Sequence, residues 1–151
     1  MSKPFKLVVL DDGEFYLTGI SNILRDEGYE VFAILYAEKE DEKKGIDFFT
    51  TDATEAAAAI AAFNPNLVLL DHNLNKAGDT GRKVAELSGI PKEKILGISD
   101  LGEQQEDYSS AQLTEAKLEL TRSFAKRRPE EAKNATTLFL AQVAALLAKQ
   151  H

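Results

Sequence analysis

Four short apolar runs in this chain stop abruptly on polar or acidic residues. Residues 5–10 run into Asp11-Asp12, residues 31–37 into Glu38, residues 67–70 into Asp71, and residues 95–98 into Ser99. Continuous apolar runs of this length, bounded by turn-prone residues, read as strands buried on both faces of a parallel sheet. The stretches between them keep a different period. Leu17, Ile20 and Leu24, joined by Tyr16 and Ile23, hold helical spacing over residues 15–27, and Gly28 supplies a stop. An alanine-rich helix is predicted over 55–63, capped by Asp52 or Thr54 and closed by Asn64-Pro65-Asn66. Residues 82–87 predict a short helix and 103–113 another. A fifth strand is expected within 118–124. Pro129 with Glu130 and Glu131 opens a long last helix over 129–149, because Pro loses nothing at a helix start and acids there face the dipole.

Strand and helix thus alternate about five times, which implies a parallel sheet covered by helices on both faces. Residues 72–80 carry Asn, Gly and Asp without periodicity and read as a loop. The nearly all-charged residues 38–45 cannot be buried. They form a solvated insertion, with residues 46–50 returning as a short extra strand, so the insertion occupies about 38–50. The 151 residues suffice for one domain, spanning 1–151, and leave no length for a separate output domain.

Composition narrows the class. A hydrophobic fraction of 44% and a charged fraction of 28% are those of a globular protein, and no apolar stretch approaches a membrane span. Met1-Ser2-Lys3-Pro4 leads into only a short apolar run, so no secretory signal is expected and residence is expected to be cytoplasmic. The absence of Cys excludes disulfides, thiolate metal sites and cysteine nucleophiles. Lys and Arg number 18 and Asp and Glu 25, and the net charge of 18 − 25 = −7 repels a nucleic-acid backbone. The basic cluster Lys126-Arg127-Arg128 reads as a solvated loop.

The candidate chemistry lies at the strand ends. Asp11, Asp12, Asp71 and Ser99 should project from one edge of the sheet, the edge where open α/β sheets bind ligands. Three gathered carboxylates stay ionised only if a cation shares the site, and Mg2+, which prefers oxygen ligands, meets that demand without His or Cys. A carboxylate left over can attack a phosphoryl group. Each residue also has a plainer reading: Asp11-Asp12 as a helix cap, Ser99 as a cap, Asp71 as the start of a turn. His72 should point away from Asp71 by strand alternation and reads as structural.

"LVVLDD", "NLVLLDHN" and "ILGISD", in this order and each at a strand end, resemble the receiver domain of two-component response regulators. The resemblance covers nearly the whole chain from Phe5 onward. It implies a flavodoxin-like (βα)5 doubly wound parallel sheet of order 2-1-3-4-5. It also implies that Asp71 is the phosphoacceptor, that Asp12 ligates Mg2+ directly and Asp11 through water, that Asn73 lends its backbone carbonyl, and that Ser99 is the hydroxyl reaching the phosphoryl group. The family's lysine has two registers here. "LTRSF" keeps the spacing from Ser99 but puts Arg122 at that position, whereas "SFAKRR" keeps a lysine, Lys126, at the cost of inserted residues, and the second is preferred. Arg supplies the charge but not the compact ammonium. The loop after Asp71 is longer than the family's and lacks its proline, and no aromatic stands three residues before either Arg122 or Lys126.

The function implied is that of a stand-alone receiver. It would take a phosphoryl group on Asp71 from a sensor histidine kinase or phosphotransfer protein and so change its contact with a downstream protein, and it would not be a metabolic enzyme. Two alternatives stay open: a receiver-like interaction module that works without phosphorylation, and a haloacid-dehalogenase-type phosphatase. Asp11-Asp12-Gly13 lacks the one-residue separation of acids that the latter requires. In the last helix Leu138, Phe139, Leu140, Val143, Leu146 and Leu147 cover more than one stripe, which implies either deep packing or a partner face, including a homodimer.

Overall fold

A computed structural model describes residues 4–38, 45–71, 74, 81–98, 109–110 and 126–150. Its centre is β1 (Lys6–Asp11), whose Leu7, Val8, Val9 and Leu10 are all fully buried. Both faces of this strand are covered, so consecutive side chains enter different cores. Leu7 and Val9 pack with Leu17, Ile20 and Leu24 of α1 (Glu14–Asp26) and with Phe139, Val143 and Leu147 of the last helix, α4 (Pro129–Ala148). Val8 and Leu10 pack with Ala56, Ala57 and Ile60 of α2 (Ala53–Phe63) and with Val84 and Ala85 of α3 (Gly81–Ser88). This is the doubly covered sheet that unbroken apolar runs require.

The remaining strands are β2 (Glu30–Leu35), β3 (Phe48–Phe49), β4 (Leu67–Leu70), β5 (Ile95–Gly97) and β6 (Ser109–Ser110). They assemble in the order β3-β2-β1-β4-β5-β6, with every pairing parallel. Without the two-residue β3 at the edge, this is the expected order 2-1-3-4-5. The extra strand foreseen within 46–50 is β3, where Ile34 pairs with Phe48 and Leu35 with Phe49.

Element ends follow local chemistry. Asp52 caps α2, its Oδ1 accepting the amides of Thr54 at 2.8 Å and Glu55 at 3.2 Å. Asn64 closes that helix in the left-handed conformation (φ 53°), which Asn tolerates better than most residues. Gly28, with φ 101°, turns the chain after α1 into β2.

One expectation is corrected. Ser109 and Ser110 are strand, paired with Leu96 and Gly97, where the sequence predicted a helix over 103–113. A polar two-residue strand has no apolar alternation to announce it, and its conformation comes from its neighbour. The last helix presents a single buried stripe, Ala132, Phe139, Val143 and Leu147, with Leu140 and Leu146 partly buried beside it and Leu138 exposed. The strand expected within 118–124 lies outside the described residues, as does the loop after Asp71 apart from the buried Leu74.

Candidate functional site

β1 and β4 are the two strands between which the chain order reverses, the place where open α/β sheets bind ligands. Their register decides what stands there. Leu7 pairs with Leu67, Val8 with Val68, Val9 with Leu69 and Leu10 with Leu70, and each strand is followed by, or ends on, an aspartate. The Asp71 amide donates to the Leu10 carbonyl at 3.0 Å, continuing the ladder one step. Asp11 and Asp71 are therefore neighbours across the sheet, and a slip of one residue would send them to opposite faces.

The carboxylates of Asp11, Asp12 and Asp71 each place an oxygen within 4.8 Å of the others. Asp11 is fully buried and Asp71 is 6% exposed, whereas Asp12 reaches solvent. Oδ1 of Asp11 accepts the amide of Gly13 at 2.7 Å, which fixes its rotamer. The N-cap of α1 is Gly13, and no side chain caps that helix, so Asp11 and Asp12 do not serve as the cap that the plainer reading allowed.

At an effective dielectric of about 20, two unit charges at this separation repel by about 3 kcal/mol. The Asp12 carboxyl is pushed up from the ordinary aspartate value although part of the residue reaches solvent. Burial is the main cause, opposed by hydrogen bonds with Asp71, with the Asp12 backbone amide and with Asp11. The donor set is all oxygen and carries three negative charges when ionised, so it suits a hard divalent cation and offers nothing to a soft one.

Of the other sequence candidates, Lys126 is exposed in the turn that precedes α4. Ser99, Asn73, Arg122 and His72 lie outside the described residues. Gly81, the first residue of α3, is buried directly against the Asp71 main chain, a contact that no local sequence pattern marks.

No protein-family model matches the chain, and no curated protein matches it by sequence. Solved structures do share its fold. The anti-anti-sigma factor PhyR from Bartonella quintana aligns over 98% of this chain and 53% of its own, with a TM-score of 0.52 and 13% identity. NtrX from Brucella abortus aligns over 95% of this chain and 29% of its own, with a TM-score of 0.50 and 22% identity. The PhyR response regulator REC domain from Erythrobacter litoralis aligns over 81% and 89%, with a TM-score of 0.49 and 19% identity. The chain thus spans about half the length of the first of these proteins and under a third of the second. At such identities the likeness is one of fold alone: a parallel sheet covered by helices on both faces.

Proposed function

We propose that this protein is a receiver that accepts a phosphoryl group on Asp71 in a Mg2+-dependent reaction and thereby changes its contacts with another protein. The observation that carries the reading is the gathering of Asp11, Asp12 and Asp71 within 4.8 Å at the ends of the two central strands. Asp71 is the one of the three that directly follows β4, and it is almost completely buried. A carboxylate so placed is held rigid by ladder bonds and shielded from competing water.

Asp12 and Asp71 would hold Mg2+ directly, Asp11 through water, and Asn73 through its backbone carbonyl. Bound there, the ion would offset negative charge on the transferring group. An Asp71 carboxylate oxygen attacks the phosphorus of a phosphohistidine on a sensor kinase or phosphotransfer protein. The new P–O bond forms as the P–N bond breaks, and the imidazole leaves with the electron pair. Ser99 and Lys126, or Arg122 in its place, are assigned to the phosphoryl oxygens. The added charge then biases the surface toward or away from a downstream protein. Leu138, 57% exposed on α4, is an apolar contact available to such a partner or to a second copy. No helix among the described residues is long and apolar enough to cross a membrane.

Incubation with Mg2+ and acetyl phosphate, followed by mass spectrometry, tests the reading. One base-labile phosphoryl group on Asp71, lost in Asp71→Asn, is expected. A folded, Mg2+-binding protein that forms no adduct would leave a phosphorylation-independent interaction module instead.

A further inference from the structure

α3 begins against the end of β4. A Cβ built on Gly81 would collide with the backbone carbonyl oxygen of Asp71, and it would stand 3.2 Å from both the Asp71 carbonyl carbon and the Leu70 Cβ. The obstacle is backbone, which cannot swing aside as the tip of a side chain can. Gly81 is not one of the glycines with left-handed φ, which among the described residues are Gly28, Gly45 and Gly89, so what this position requires is space and not conformational freedom.

Neither partner in that contact can easily retreat. The Asp71 amide is tied to Leu10 of β1 at 3.0 Å, and the Leu70 carbonyl accepts the Ile98 amide at 2.9 Å, so the peptide before Asp71 is held from both neighbouring strands. α3 is anchored in turn by Val84, fully buried, and Ala85, both packed in the core that holds Val68 and Leu70. A methyl group at position 81 must therefore displace either the helix or the acid. Mg2+ demands near-ideal octahedral geometry at short distances, so even a shift of a few tenths of an ångström in one ligand is felt.

We propose that Gly81 is a positioning residue for the acid cluster: the absence of a side chain there sets where the Asp71 main chain, and with it the Asp71 carboxylate, stands relative to Asp11 and Asp12. The proposal rests on the reading of the three acids as a cation site. Changes to groups that orient a metal ligand typically cost 10- to 100-fold in affinity, and Gly81→Ala is expected to weaken Mg2+ binding by about that factor in isothermal titration calorimetry.

Two controls separate positioning from general loosening. Val84→Ala weakens the anchoring of α3 without touching Asp71 and should keep the parent Mg2+ affinity. Amide spectra in EDTA provide a readout that needs no metal: Gly81→Ala should move the resonances of Asp11, Asp12 and Asp71, and Val84→Ala should leave those of Asp11 and Asp12 in place. Should Gly81→Ala alone fail to fold, the Gly81→Ala/Val84→Ala double variant is measured against Val84→Ala, and its Mg2+ affinity should be the lower of the two. Equal Mg2+ affinities in either comparison overturn the proposal, as do unmoved Asp11 and Asp12 resonances. A parent protein that binds no Mg2+ while Gly81→Ala still moves those resonances defeats the cation-site reading and leaves the positioning role in place.

Discussion

Asp47 holds Ala33 by both of that residue's backbone groups: the Asp47 amide donates to the Ala33 carbonyl at 2.9 Å, and Asp47 Oδ2 accepts the Ala33 amide at 2.8 Å. The same carboxylate oxygen receives the Arg25 guanidinium at 2.9 Å, and Arg25 also donates to the carbonyls of Gly45 and Val31. The return leg of the charged insertion is thereby fastened to α1 and covers the outer edge of β2, an edge that would otherwise invite pairing with another chain. Asp47→Ala leaves the Ala33 amide without that partner. A destabilisation of about 1–3 kcal/mol is expected, mostly from the amide. The ion pair itself is partly exposed and contributes less. Urea unfolding of Asp47→Ala and Arg25→Ala checks this, and a larger loss in Arg25→Ala than in Asp47→Ala would contradict the assignment.

Much of this architecture could be read from the chain because its central strands are apolar on both faces. Residues 5–10 and 67–70 announce a doubly covered sheet whatever they pair with, and each is followed by an acid, so the meeting of Asp11 with Asp71 needed only parallel pairing in register. Asp52 and Asn64 act through neighbours a few residues away and were legible for the same reason: their chemistry is local. Ser109-Ser110 and Gly81 were not legible. The first is a strand only because Leu96 and Gly97 lie beside it, and the second matters only because α3 returns onto Asp71, ten positions earlier in the chain. Both depend on tertiary contacts that no local pattern encodes.

The acid cluster links pH, Mg2+ and stability. Burial raises the Asp12 carboxyl above its ordinary value of 3.8, so the folded protein binds that proton more tightly than the unfolded chain. Stability then falls as pH rises from 3.8 through the raised native value, and the penalty persists at neutral pH. Without divalent ions, Asp12→Asn is therefore expected to raise the melting temperature at pH 7 and to have little effect at pH 3. Thermal melts at the two pH values in EDTA decide it. A variant less stable than the parent at pH 7 would show that these acids do not oppose folding.

Adding the cation should reverse that order. A ligand that binds only the folded state at a concentration of about 100 times its dissociation constant stabilises by about 2.7 kcal/mol. Saturating Mg2+ should raise the urea midpoint of the parent protein, and this gain should be absent in Asp71→Asn and in Asp12→Asn. A gain of equal size in the parent and in both variants would mean that Mg2+ binds elsewhere.

Capping offers a smaller and cleaner test of the scaffold. Asp52 satisfies two amides at the start of α2 through one oxygen, and that helix covers Val8, Leu10 and Val68. Asp52→Ala is expected to cost about 1 kcal/mol, and Asp52→Ser much less, because a hydroxyl can accept the same amides. Chemical denaturation of the pair reads the difference. Equal losses in the two variants would place the role of Asp52 outside capping.

Two adjacent residues of α4 should behave in opposite ways. Phe139 is fully buried among Leu17, Ile20 and Leu69, and Leu138, one position earlier, is 57% exposed. Truncating Phe139 to Ala removes a ring from the core between α1, α4 and the sheet and should destabilise by about 3–5 kcal/mol. Truncating Leu138 removes surface that water already reaches and should change stability by less than about 0.5 kcal/mol. If α4 also serves as a contact between copies, Leu138→Ala should lower the sedimentation-measured association of the protein while its unfolding midpoint at low concentration stays fixed. Loss of stability in Leu138→Ala at a concentration where the protein is monomeric would instead mean that this side chain is packed within its own fold.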